Sequence, residues 1–192
     1  SDLVVMMAAI MAASAATGAG AQAATRLAGE ETSGRLGAVV ATQLGRTRLW
    51  CTWWLMAVAS ALAVLAAACL ALGAGTWWST GERGALTTAC SVGAGYAVPV
   101  VFVVAACAAL ASTGPRWAGA GWVLFGWCLT VGFLGEALRL PEWAENLSPL
   151  HLVGALPLDD PDGAALAGLA MAGVVLLAGS VLVFRGRDLR AG

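Results

Sequence analysis

The 192-residue sequence is 60% hydrophobic and 11% charged, with a formal net charge of -1 and a mean hydropathy of +0.83. Soluble domains carry roughly 25% charged residues, so the composition excludes an ordinary soluble globule and points to an integral membrane protein. All 10 basic residues are arginine, with no basic face for nucleic acid and no lysine for a G-x-x-x-x-G-K-[ST] phosphate loop.

The chain opens Ser1-Asp2 and passes straight into apolar sequence, without the basic n-region of a signal peptide. This start reads as that of a chain cut or processed upstream. Charged residues then divide the sequence into uncharged runs at 3–25, 49–81, 84–115, 117–135 and 163–184. A helix crossing the roughly 30 Å hydrocarbon core needs about 20 apolar residues. Five transmembrane helices are therefore expected near 3–23, 52–74, 86–110, 117–135 and 164–184, in one all-α membrane domain covering 1–192. The first and last are rich in Ala and Gly, which suits packing against other protein.

Between the first two spans lies 24–50, "ATRLAGEETSGRLGAVVATQLGRTRLW". A bare turn needs only a few residues. The part from Glu30 to Gly45 is amphipathic enough for a short surface helix, bent at Gly34, with Arg46 and Arg48 anchored at the headgroups. Glu30 and Glu31 offer a negative patch to a partner. Trp50, Trp53 and Trp54 mark the start of the second span, Trp77 and Trp78 its end, and Trp117 the start of the fourth, as interfacial belts do. Trp122 and Trp127 lie deeper and are assigned to helix packing.

Pro99 sits inside the third span, removes one helix hydrogen bond and is a possible kink. Gly93, Gly95 and Tyr96 before it allow close helix contact. Cys51, Cys69, Cys90, Cys107 and Cys128 lie in or beside apolar stretches without C-x-x-C spacing, and read as small buried hydrophobes rather than metal ligands or disulfides.

Segment 136–163, "EALRLPEWAENLSPLHLVGALPLDDPDG", is too long and apolar for a simple surface loop. Its prolines and leucines suggest short helices that dip into the outer leaflet and return, which requires cover by protein or a cavity lining. Glu136 and Arg139, spaced i, i+3, are candidates to pair at the mouth. With Trp143 and His151, the only histidine, they form a candidate outer gate; a cap that merely seals the bundle is the competing reading. In the last span Ala164, Gly168 and Ala172 form a small-xxx-small row that predicts tight helix packing.

Five crossings place Arg26, Arg35, Arg46, Arg48, Arg116, Arg185, Arg187 and Arg190 on one side and only Arg83 and Arg139 on the other. The arginine-rich side should be cytoplasmic. The N-terminus is then outside and the C-terminus inside.

Three motifs in order carry a family resemblance. Glu-Glu-x-x-Gly-Arg-Leu followed by Gly-Arg-x-Arg-x-Trp, the segment "LGEALRLPEWAENLSPLHLVGALP", and the closing "VFRGRDLRAG" resemble bacterial type-2 ABC exporter permeases, in the antibiotic-exporter branch of which tetronasin-type permeases are examples. The resemblance covers essentially the whole chain. It implies a six-span permease half that lacks its first span here, a cytoplasmic coupling helix within 25–48, and an outer re-entrant segment at 136–163. It further implies a second permease half, in the same chain or another, and ABC ATPase subunits that carry ATP and Mg while this chain holds no cofactor. The ATPase would be met at Glu30, Glu31, Gly34, Arg35 and Leu36, in a bacterial plasma membrane and in contact with lipid. No span carries a buried charge, which argues against proton coupling and fits a hydrophobic or amphiphilic, drug-like cargo. No catalytic or metal motif is present. The rivals are a membrane enzyme using Glu136, His151 or Asp159–Asp160, and an assembly subunit that anchors a cytoplasmic partner.

Overall fold

A computed structural model describes residues 2–32, 46–82, 84–139, 141–145, 147–153 and 163–186. Among these the chain is all helical, with no strand. Five long helices are α1 (Asp2–Thr32), α2 (Arg46–Thr80), α3 (Ala85–Thr113), α4 (Pro115–Leu138) and α6 (Gly163–Gly186); a one-turn α5 (Glu142–Glu145) and a 3₁₀ turn (His151–Val153) lie between α4 and α6. All five long helices are apolar and long enough to cross a membrane. Each contains one expected span and runs past it at both ends.

The third helix is the hub. It packs against α1, α2, α4 and α6, and Val100, Val103, Val104 and Cys107 on it are fully buried. Lipid removes the hydrophobic drive between helices, so close van der Waals fit must hold them. The alanine face of α1 provides that fit: Ala13, Ala16 and Ala21 are 0% exposed, as is Thr17, whose hydroxyl donates to the Ala13 carbonyl at 2.7 Å. At Gly20 a methyl would collide with Val104 Cγ2 of α3 and approach Ala61 Cβ of α2 to 2.9 Å. About three turns from Val104 along α3, a methyl on Gly93 would meet Cys69 Sγ of α2 at 2.9 Å. Pro99 lies buried within α3, which continues as helix through it.

Two packing expectations are corrected. The row Ala164, Gly168 and Ala172 is exposed, with open space over Gly168. At 100° per residue the neighbouring stripe, Leu169, Gly173, Ser180 and Phe184, is the buried one and faces α3 and α2. The last span is thus the least enclosed of the five. Trp122 is half-exposed and makes an edge contact to Phe125 on its own helix, centroids 5.9 Å apart, rather than bridging helices. Cys69, Cys107 and Cys128 are buried as expected, whereas Cys51 is half-buried and Cys90 is exposed.

Candidate functional site

The two ends of the bundle hold the candidate residues. At the arginine-rich end, α1 runs about six residues, or roughly 9 Å, beyond Arg26. Glu30 and Glu31 therefore belong to the last turn of α1 rather than to a separate surface helix. Glu30 is half-buried. No basic residue accompanies them in that turn. Gly34, Arg35 and Leu36 fall outside the described residues.

The chain re-enters at α2, whose first turns are fixed by two tryptophans. Trp53 donates Nε1–H to the Ala23 carbonyl of α1 at 2.9 Å. Trp50 donates Nε1–H to Ser180 Oγ of α6 at 3.1 Å and stacks on Phe184, centroids 5.0 Å apart at 22°. Ser180 in turn donates to the Leu177 carbonyl at 2.7 Å. Trp50 is only 2% exposed, so it is not a belt residue: it is a buried link between α2 and α6. Trp77, Trp78 and Trp117 are half-exposed or more, as belt residues should be. The start of α2 is thus tied both to α1 and to α6.

At the other end the chain turns sharply after α4. Arg139 takes a positive φ of 47°, the left-handed conformation that ends helices. Glu145 N–H donates to the Pro141 carbonyl, Ser148 N–H to the Glu145 carbonyl, and both His151 and Leu152 N–H groups to the Ser148 carbonyl. These tight turns satisfy the backbone as it descends. Ser148 is 0% exposed and Leu150 is 8% exposed, and the 3₁₀ turn touches α3, α4 and α6. Ser148 adjoins the Cys128 thiol, although its Oγ makes no well-formed hydrogen bond. Cys128 is 10 residues before the end of α4, about 15 Å along the helix, so residues 147–153 lie back against the bundle. Residues 154–162 fall outside the described set.

Of the four candidate gate residues, the structure places Arg139 and Trp143 in exposed positions and His151 beside a carboxylate. His151 Nε2 lies 3.8 Å from Glu145 Oε2, the two side chains being 47% and 24% exposed. The Glu136 side chain falls outside the described residues, as therefore does its expected pairing with Arg139. Glu145, not among the four candidates, is the residue beside the histidine. It packs over α4, where a methyl on Gly135 would touch its Oε1 at 3.4 Å. Its separation from His151 across an irregular segment gave no periodic signal.

Among known families, the model described as "Multidrug efflux system permease Rv1217c, C-terminal domain" matches residues 1–185. No curated protein matches the chain.

Proposed function

The chain belongs to the family of the multidrug efflux system permease Rv1217c, C-terminal domain, and from that premise we propose that it is the membrane-spanning subunit of an ATP-driven ABC exporter. Membership of a permease family makes it a transport component rather than an enzyme. Its cargo is a hydrophobic or amphiphilic, drug-like compound, moved outward by alternating access. A separate ATPase binds ATP and Mg, and a second permease half completes the path. The resemblance of the three motifs supports a reading within the antibiotic-exporter branch, of which tetronasin-type permeases are examples.

The observation that carries this reading is the match over nearly the whole chain, combined with the acidic end of α1. Glu30 and Glu31 lie in the last turn of α1, where they would meet a basic groove on an ATPase. Movement of the ATPase against Glu30, Glu31 and the following Gly34, Arg35 and Leu36 would tilt α1. The Trp53 bond to Ala23 and the Trp50 bond to Ser180 then carry the tilt to α2 and α6. At the far end, the returning segment with the His151–Glu145 pair forms the outer gate.

Reversing both charges, Glu30→Lys with Glu31→Lys, should uncouple ATP hydrolysis from transport in the reconstituted permease–ATPase complex. Cargo-stimulated ATPase activity should fall at least tenfold while the helicity of the permease is retained. Wild-type stimulation in the double variant would sink the coupling role.

A further inference from the structure

Two exposed arginines stand where α2 begins and α6 ends. Arg48 lies two residues before Trp50, and Arg185 directly follows Phe184. Trp50 sets the two helices in register, since it donates to Ser180 Oγ at 3.1 Å and stacks on Phe184. Arg48 is thus about 3 Å along α2 from one member of the stack, and Arg185 about 1.5 Å along α6 from the other. Each is one residue inside the end of its apolar stretch, Thr47–Thr80 for α2 and Gly163–Gly186 for α6. Both guanidiniums therefore reach the headgroup layer, as long cationic side chains near a helix end do.

They also share a side of the bundle. At about 100° per residue, Arg48 falls on the exposed face of α2 with Leu55 and Leu62, and Arg185 on the exposed face of α6 with Val174 and Ala178. Leu62 and Val174 line one groove between α2, α3 and α6, so the two faces open onto the same stretch of membrane. Neither arginine has a carboxylate partner among the described residues. Two unpaired positive charges on neighbouring helices at one level repel, and an anion between them removes the repulsion. A guanidinium meets a phosphate through two parallel N–H···O bonds. In the headgroup layer the phosphate at hand belongs to a phospholipid, and a net negative lipid is favoured by roughly fivefold for each arginine near the surface.

We propose that Arg48 and Arg185 together bind the phosphate of one anionic phospholipid at the seam of α2 and α6. The bound headgroup bridges the start of the second span to the end of the last, alongside the Trp50–Ser180 hydrogen bond.

The test titrates the full chain, in a neutral detergent, with phosphatidylglycerol or with phosphatidylcholine of the same acyl chains, and counts bound lipids by native mass spectrometry. Wild type should hold one phosphatidylglycerol about tenfold or more tighter than phosphatidylcholine. Arg48→Gln with Arg185→Gln should cut that preference at least about fivefold. Arg116→Gln, at the junction of α3 and α4 and equally exposed, should leave it unchanged. An equal loss in Arg116→Gln would mean a diffuse basic field without a site. Wild-type preference in the double variant would assign the two arginines to another occupant, such as a soluble protein. Displacement of the lipid by excess inorganic phosphate at constant ionic strength would mean a site for free anions. Each of these three outcomes overturns the proposal. Circular dichroism confirms that the compared variants retain their helices.

Discussion

Gly20 shows how single residues set the spacing of this bundle. Its missing side chain lets α1 rest against Val104 of α3 and Ala61 of α2 at once. A methyl would have to displace buried, close-packed groups on two helices, and overpacking of this kind costs typically about 1–3 kcal/mol. Gly168 is the contrast, exposed on α6 with nothing within 4 Å of the place a methyl would take. Gly20→Ala should therefore lower the thermal midpoint in detergent by several degrees, while Gly168→Ala should leave it unchanged or raise it slightly, since alanine is the better helix former. Equal midpoints for the two variants would remove the close-approach argument. From sequence both glycines look alike. Each sits in an Ala- and Gly-rich span, and only the neighbouring helices decide which one is crowded.

Among the elements, α2 and α6 are joined by a contact between residues 130 positions apart, Trp50 and Ser180. The spans themselves were legible because charges interrupt the apolar runs, and in lipid a long uncharged run has few structural options. The partner of each helix face was not. On α6 small residues occur all round the axis, so Ala164, Gly168 and Ala172 looked as suitable for packing as the Leu169, Gly173 and Ser180 stripe that packs. Trp50 likewise satisfied the rule for interfacial aromatics, yet Ser180 and Phe184 draw it into the interior. The link should be measurable. Interhelical hydrogen bonds in membrane proteins contribute about 0.6–2 kcal/mol. A double-mutant cycle on Trp50→Phe and Ser180→Ala should give a coupling energy in that range by denaturant titration in detergent, because phenylalanine retains the stacking on Phe184 and loses only the N–H. A coupling near zero would mean that stacking alone holds α2 to α6.

For the whole molecule, the same helices place two chemically different ends on opposite sides. One end gathers the close of α1, the start of α2, the junction of α3 with α4 and the close of α6; the other gathers the return segment around His151. The family and the spanning helices were legible from motif order and hydropathy. The depth of the return segment was legible only in outline, because its turns follow from Pro141, Ser148 and Arg139 conformations that no periodicity announces. Of the described arginines, Arg26, Arg46, Arg48, Arg116 and Arg185 lie at the first end and Arg139 at the other, and inward retention of positive charge predicts a cytoplasmic first end. Exposed positions at the two ends turn this into a measurement. Gly29 is exposed near the close of α1, and Trp143 is exposed on α5. In cells expressing the chain, a membrane-impermeant maleimide should label Trp143→Cys in intact cells. Gly29→Cys should be labelled only after permeabilisation, with the native cysteines of the parent chain as background. Labelling of Gly29→Cys in intact cells would invert the topology. It would also remove Glu30 and Glu31 from reach of any ATPase, so the coupling proposal stands or falls with the side on which α1 ends.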